Sequence, residues 1–467
     1  LTREKNSAKF KVKMKIKKGQ GDFILVILAA GKGKRMRSEF PKVLLQLGSK
    51  PLIEWVLEAT KPLKFKEKVI IVGYKGDMIK KFKDLTFIEQ KHQLGTAHAL
   101  LQAESLLRDR GGDLLVLPGD TIVETKALKD LIDFHSHHKG PISILTAEIK
   151  EPRGYGRIIR DEKGMIIKII EEAEAQSLEV KEINTGVYCF RNDQALWDTL
   201  KTIKIKYGEY YLTDVVEAYV RREETVRGLK TTGVRGINTR ADLAKAFSDI
   251  CSQVINELME SGITILDPQT TYIEKGVKVG IDTTIYPFTF IFGNTRIGKR
   301  CLIGPSSLVR DSVIEDEVTV EHSVVKGARV RRGCLIGPFS HLRPGADIGP
   351  KVRVGSFVEV KNSRIEEGSV AAHLAYIGDS HIGKEVNIGA GMITCNFDGV
   401  RKHKTEIGDG SFIGSNVSLV APIKLGENVT VGAGSVLTKD VPDGTLAIAR
   451  SRQVNIENWK GKNKKGR

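Results

Sequence analysis

A chain of 467 residues, 40% hydrophobic and 28% charged, has room for two or three domains and the composition of a soluble globular protein. Its net charge of +17 lies partly in the tails: Lys9, Lys11, Lys13, Lys15, Lys17 and Lys18 in front, Lys460, Lys462, Lys464, Lys465 and Arg467 behind. Basic tails are usually solvated, so no nucleic-acid or membrane partner is expected, and the remaining excess suits phosphate-bearing substrates as well as a generally basic surface.

Cys189, Cys251, Cys301, Cys334 and Cys395 are scattered without a C-x-x-C pair. That argues against a disulfide framework or a zinc site and for a reducing, cytoplasmic location. Residues 1–22 read as a basic extension outside the fold, whose period-two alternation over 9–17 suits a mobile tail better than an edge strand. These lysines and the apolar run 23–30 imitate a secretory signal. The run is short, and cleavage would destroy the glycine-rich turn that follows, so no signal is expected. No stretch approaches the roughly 18 apolar residues of a membrane span.

From 23 to 240, strand patterns (23–29, 68–73, 113–118, 142–148) alternate with helical ones (51–60, 95–108, 125–138). The alternation predicts a Rossmann-like α/β domain with a mostly parallel sheet, binding ligands beyond the carboxyl ends of its strands. The first strand opens into Leu28-Ala29-Ala30-Gly31-Lys32-Gly33-Lys34-Arg35-Met36, followed by Pro41-Lys42. Glycines there let backbone N–H groups approach an anion, and Lys32, Arg35 and Lys42 supply charge against it. No G-K-[ST] closes the turn as in a Walker loop, and the third Rossmann glycine is missing. Alone, it fits a structural turn as well as a phosphate site.

Residues 241–262 carry Leu243, Ala246, Phe247, Ile250, Val254 and Leu258 at helical spacing and predict a linker helix that stops at Ser261-Gly262. From 263 to 450 aliphatic–glycine pairs recur in steps of six. Ile297-Gly298 leads to Ile303-Gly304, Ile348-Gly349 to Val354-Gly355, Ile382-Gly383 to Ile388-Gly389, Ile407-Gly408 to Ile413-Gly414, and Leu425-Gly426 to Val431-Gly432. This period predicts a parallel β-helix of hexapeptide repeats, one inward aliphatic per face with a small residue beside it at the corner. The register slips near 315–330 and 395–405, where loops are expected to leave the coil. Residues 451–467 read as a basic tail.

The L-A-A-G-K-G-x-R-M turn with P-K after it resembles the signature of sugar-phosphate nucleotidyltransferases. With the hexapeptide region, the chain from about 23 to about 460 resembles the bacterial enzymes that join glucosamine-1-phosphate N-acetyltransferase and N-acetylglucosamine-1-phosphate uridylyltransferase in one polypeptide. The resemblance implies a left-handed β-helix, a homotrimer with active sites between subunits, Mg2+ as cofactor, and acetyl-CoA and UTP as co-substrates. Glucosamine-1-phosphate would be acetylated; UMP would then pass from UTP to N-acetylglucosamine-1-phosphate, giving UDP-N-acetylglucosamine and pyrophosphate.

Carried over motif by motif, the resemblance places the nucleotide on Leu28, Ala29, Ala30, Gly31, Lys42, Gln90, Gly95 and Thr96. Asp120 and Asn238 would hold the metal, and Arg35 and Lys42 would stabilise developing charge. Gly156, Glu171, Asn184 and Asn238 would contact the hexosamine phosphate, while His92 and His98 read as structural. In the second half His373, in Ala371-Ala372-His373-Leu374-Ala375-Tyr376, would be the general base. Its unperturbed pKa of about 6.5 suits removal of a proton from an attacking amine. Arg343, Lys361, Tyr376 and Asn387 would hold the acceptor phosphate. Ala390, Asn396, Phe397, Lys402, Ser415, Ala433 and Arg450 would line acetyl-CoA, with Asn396 reaching a neighbouring subunit. Singly, an Asp after a strand is a turn or cap, and a lone histidine on a β-helix is a surface residue; the surrounding set points to chemistry.

Three departures stand out: Thr121-Ile122-Val123 where the family usually has a proline, Glu172-Ala173-Glu174 where a lysine or another polar residue is common, and Phe397 for a tyrosine. Two rival readings remain. One is a single-activity nucleotidyltransferase with an oligomerising or regulatory β-helix, as in ADP-glucose pyrophosphorylases. The set around His373 speaks against it. The other is a non-enzymatic scaffold like the translation-factor exchange subunits, against which the intact Lys32, Arg35, Lys42, Asp120 and Asn238 speak.

Overall fold

The computed structural model describes residues 22–138, 140–175 and 179–459. The alternation over 9–17 and the lysines from 460 onward lie outside them. The chain divides into two compact units between Phe247 and Ser248.

The first unit is built on β1 (Phe23–Ala29). Its unbroken aliphatic run is explained by burial on both sides. Ile24 and Val26 enter one core, and Phe23, Leu25 and Ile27 enter another on the opposite face. One core is covered by α1 (Leu52–Thr60) and α3 (Thr125–His137), through Ile53, Val56, Leu128 and Leu131. The other is covered by α2 (Thr96–Leu101), α4 (Gln194–Thr202) and α5 (Asp214–Val220), through Leu100, Trp197, Leu200 and Val216. The helix expected over 95–108 is two pieces, α2 and a single turn at Glu104–Leu107.

The sheet places β1 between β2 (Glu67–Val72) and β4 (Asp113–Pro118), parallel to both, with β3 (Thr86–Glu89) outside β2. Beyond β4 the sheet turns antiparallel through β8 (Glu182–Phe190). β8 pairs with β5 (Ile142–Glu148) and with β6 (Arg157–Arg160), which β7 (Ile166–Ile170) flanks; β9 (Val226–Lys230) runs parallel to β5. The chain crosses from β3 to β4 over β1, so the strand order reverses at β1. The crevice beyond the carboxyl ends of β1 and β4 is therefore the ligand position of this topology.

Helix α6 (Arg240–Glu260) starts in a capping box. The amides of Asn238 and Thr239 donate to Asp242 Oδ2 at 2.9 and 2.7 Å, and the Asp242 amide donates to Thr239 Oγ1 at 3.1 Å. In the second unit Val254 and Ile255 share a core with Ile263, Ile265 and Ile273, closing the first coil of the repeat region.

That region forms three parallel sheets of 11, 10 and 9 short strands, the three faces of the prism expected for a left-handed parallel β-helix. Inward aliphatics such as Ile285, Ile291, Ile303, Val320 and Ile377 are fully buried. Beside them, corner hydroxyls satisfy backbone carbonyls: Ser340 Oγ donates to the carbonyls of Val354 and Gly355 at 3.0 and 2.6 Å.

A regular coil advances eighteen residues, as in the pairing of Thr284 with Leu302. Near 315–330 the expected loop is not there. Leu308 pairs with Val324, Val313 with Arg329 and Thr319 with Leu335, each sixteen residues on. Each of these coils is two residues short of eighteen, and the chain stays on the prism because every inward aliphatic keeps its place. At 395–405 the expected loop is present. Asn387 pairs with Phe412, twenty-five residues on, and the surplus leaves between Ile393–Cys395 and Thr405–Ile407.

Candidate active sites

In the first unit a cleft of about 810 Å³ opens at the switch point. Among its lining residues are Leu28, Ala29, Ala30, Gly31, Lys32, Arg35, Lys42, Gln90, Gly95, Thr96, Asp120 and Asn238, so every residue expected to contact nucleotide or metal meets in one place. Gly95 has to be glycine there. Its φ is +104°, and a Cβ would stand 2.5 Å from the Tyr210 carbonyl oxygen, because the segment carrying Glu209 and Tyr210 crosses over it. Gln90 is buried and held from behind: its Nε2 donates to the Gly95 carbonyl at 3.1 Å and lies 2.9 Å from His98 Nδ1. Burial lowers the pKa of His98. A neutral ring can accept from Gln90, so His98 is structural in a specific sense. His92, expected to be structural, is exposed and lines the cleft.

Asp120 and Asn238 are 118 positions apart and are joined by a small ladder. Thr121–Val123 pairs antiparallel with Val234–Gly236, Thr121 opposite Gly236, and the Ile237 amide donates to the Asp120 carbonyl at 3.2 Å. The departure Thr121-Ile122-Val123 is thus a strand, and its three residues supply the pairing that a proline would interrupt. Asn238 Nδ2 donates to the Gly154 carbonyl at 3.3 Å, which turns Oδ1 into the cleft. There Oδ1 accepts from Lys42 Nζ at 3.1 Å and from Arg35 at 3.0 Å, while the same Nζ forms an ion pair with Asp120. Two hard oxygens converging on one cation are a donor set that suits Mg2+, which takes one or two carboxylate or amide oxygens and fills the rest with phosphate and water.

The hexosamine set lies at the strand ends next to this cleft. The Asn184 amide donates to the Gly156 carbonyl at 2.9 Å, and Asn184 Nδ2 donates to Tyr188 Oη at 2.7 Å. Glu171 accepts from Thr213 Oγ1 at 2.5 Å; burial pushes its carboxyl upward, reinforced by Asp214, Glu174 and Glu209. The departure at Glu172 has its own partner, the buried Arg157 at 3.1 Å.

In the second unit His373 ends the strand Val370–His373 at a corner of the prism, exposed and without a side-chain hydrogen bond among the described residues. Backbone bonds stack that corner coil on coil: Gly391 N to Leu374 O at 3.1 Å, Asn416 N to Ala390 O at 2.8 Å, Gly434 N to Ser415 O at 2.8 Å. His373, Ala390, Ser415 and Ala433 therefore form one edge of small side chains with the imidazole at its end, and Arg450 donates to the Ala433 carbonyl at 2.8 Å. Asn387 projects from the face on one side of this edge and Tyr376 from the face on the other.

Further across the Tyr376 face stand Arg343 and Lys361 on successive coils, with Arg343 donating to Glu359 at 2.7 Å. Lys402 comes over from the 396–404 loop, and the neighbouring Lys361 ammonium pushes its pKa below the ordinary lysine value. Asn396 is buried and donates to Asp379 of its own chain at 2.5 Å. Within one chain it therefore stands with Tyr376 and Lys361, apart from the Ala390, Ser415 and Ala433 edge. Gly378 makes room for it: a Cβ there would meet Tyr376 Oη at 2.5 Å and Asn396 Nδ2 at 2.8 Å. Phe397 is 59% exposed and bridges to Lys402 across the loop. Glu209, Glu359 and Asp379 went unread in the sequence, where nothing marks them; each matters only through a neighbour brought in by folding.

Comparison with known proteins agrees with this division. The family described as nucleotidyl transferase matches residues 24–252, and that described as bacterial transferase hexapeptide matches residues 404–439. The chain is thus a nucleotidyltransferase unit joined to a hexapeptide transferase unit. It is similar to the bifunctional protein GlmU of Carboxydothermus hydrogenoformans, with 45% identity across 93% of this chain and 99% of that protein. The GlmU proteins of Acetivibrio thermocellus and Shouchella clausii are each 43% identical across 93% of this chain, covering 96% and 98% of theirs. The chain belongs to the GlmU family of bifunctional proteins and is an enzyme with two transferase activities. Because the match spans both units, the single-activity and scaffold readings fall away.

Proposed function

We propose that the two clusters carry the two activities: acetylation of glucosamine-1-phosphate by acetyl-CoA in the second unit, and uridylyl transfer from UTP to N-acetylglucosamine-1-phosphate in the first. The observation that carries the second-unit reading is the crowding of Arg343, Lys361 and Lys402. Arg343 already has Glu359 as a partner, but Lys361 and Lys402 repel each other, and an anion between them, as a sugar phosphate supplies, relieves that repulsion. An acceptor held there presents its amine toward His373, and acetyl-CoA lies along the Ala390, Ser415 and Ala433 edge. The amine nitrogen attacks the thioester carbonyl, His373 takes the amine proton, and the carbon–sulfur bond breaks to release coenzyme A.

In the first unit the turn after β1 receives the triphosphate, Gln90, Gly95 and Thr96 receive the base, and Gly156, Glu171 and Asn184 receive the hexosamine. Attack by the sugar-phosphate oxygen on the α-phosphorus expels pyrophosphate, with Arg35 and Lys42 set against the charge that develops. Asp120 and Asn238 would hold Mg2+, which when bound supplies Lewis-acid polarisation of the α-phosphate.

We further read the assembly as a homotrimer in the cytoplasm, where UTP and acetyl-CoA are available. Among the described residues no helix is long and apolar enough to cross a membrane. The test is to supply glucosamine-1-phosphate, acetyl-CoA, UTP and Mg2+ and to follow thiol and pyrophosphate release separately. Both are expected, thiol release without any need for UTP. Pyrophosphate only when acetylated sugar phosphate is supplied ready-made would refute the second-unit assignment.

A further inference from the structure

We propose that Lys42 is the resident cation of Asp120 and Asn238 in the free enzyme and that it makes metal binding conditional on nucleotide. Mg2+ takes the position only when a triphosphate draws the ammonium away. The proposal rests on reading Asp120 and Asn238 as the metal pair.

Three observations lead there. First, one Nζ contacts both oxygens, so lysine and metal compete for a single place. Second, the place is built for the lysine. Its stem lies over Gly33, where a Cβ would come within 2.7 Å of Lys42 Cβ and 3.3 Å of Cδ, and its side chain is only 12% exposed. Asn238 cannot turn its oxygen away without giving up the bond from Nδ2 to the Gly154 carbonyl. Third, the cleft carries Lys32, Lys34, Arg35, Lys42 and Lys91 against Asp120 and Glu209. A bare divalent cation enters a surplus of positive charge, and its coordination would strand a half-buried ammonium without a counterion. A triphosphate reverses both penalties, because it gives Lys42 a new partner and brings the negative charge that the metal needs. By linkage, the metal must strengthen nucleotide binding by the same factor as the nucleotide strengthens metal binding.

Mn2+ can be titrated into the full chain without nucleotide and read by electron paramagnetic resonance of the free ion. Lys42→Met is expected to bind one Mn2+ at least roughly tenfold more tightly than the wild type. Asp120→Asn placed on top should remove that site. Water-proton relaxation then reports the Mn2+–UTP–protein complex, which the wild type should form and Asp120→Asn should not. Equal Mn2+ affinity in wild type and Lys42→Met, with that complex intact, would overturn the role of Lys42 and leave the metal pair standing. A complex indifferent to Asp120→Asn would overturn both. Melting curves check that Lys42→Met is folded, and Lys42→Gln repeats the measurement if it is not.

Discussion

Among the described residues His373 has no side-chain hydrogen-bond partner to orient it, so substrate completes its setting, and the cost of removing it falls on chemistry. His373→Ala should lower the acetyl-transfer rate by about 10²–10⁴-fold and leave uridylyl transfer unchanged. Asp120→Ala should do the reverse, as two separate initial-rate assays would show. Loss of both activities in either folded variant would contradict the two-site arrangement. Lys402 makes a pH prediction. Its pKa is lowered by Lys361, so in the free enzyme it loses its proton at lower pH than an ordinary lysine, and with it the attraction for a phosphate. KM for glucosamine-1-phosphate should therefore climb early on the alkaline side. Lys402→Arg, which keeps its charge, should move that limb upward, and Lys402→Met should raise KM several-fold at neutral pH with a smaller change in kcat. At this scale the sequence displayed cations and glycines well, since their motifs are local. Asp379 was illegible, because its partners Asn362 and Asn396 lie seventeen residues away in either direction and become neighbours only when coils stack.

Among the elements, the strands read correctly in the sequence were those buried on both faces, such as β1 and β4. The antiparallel β6 and β7 and the parallel edge strand β9 escaped, being short. Glu182 at the start of β8 ties β5, β6 and β9 together. It takes Arg160 of β6 at 2.9 and 2.5 Å, Thr146 of β5 at 2.7 Å, and faces Lys230 of β9 at 3.7 Å. Its desolvation is outweighed by these partners, above all Arg160, and its carboxyl titrates below the ordinary range. A depressed folded-state pKa contributes stability above the unfolded-state value, and that stability is lost as pH falls through the folded one. Glu182→Gln should therefore cost about 2 kcal/mol at pH 7, and the deficit should shrink below about pH 4 in urea denaturation. The two slips in the hexapeptide register show a different limit. A deleted corner residue and an inserted loop break a six-residue period alike. Only the pairing, sixteen residues on at Leu308 and twenty-five at Asn387, separates them.

For the molecule as a whole, the corner that carries His373 also carries exposed apolar side chains, three of them on successive coils. Phe288, Phe339, Phe357 and Leu374 are 56, 53, 60 and 61% exposed, and all four have φ between +49° and +60°. Large side chains in left-handed backbone are strained, and apolar ones left in water add a second cost. Stacking of Phe339 on Phe357 at 5.4 Å relieves little of either. A second copy laid against this corner removes the exposure and walls in the edge along which acetyl-CoA is proposed to run. Uridylyl transfer asks for no such cover, because every residue placed in that cleft comes from one unit of one chain. The two activities should therefore part on dissociation. Phe339→Asp, two coils away from His373, should shift sedimentation from the proposed trimer toward one chain and lower acetyl transfer per chain at least tenfold, with uridylyl transfer per chain unchanged. A monomeric Phe339→Asp that acetylates at the wild-type rate would show that the second site is complete within a single chain.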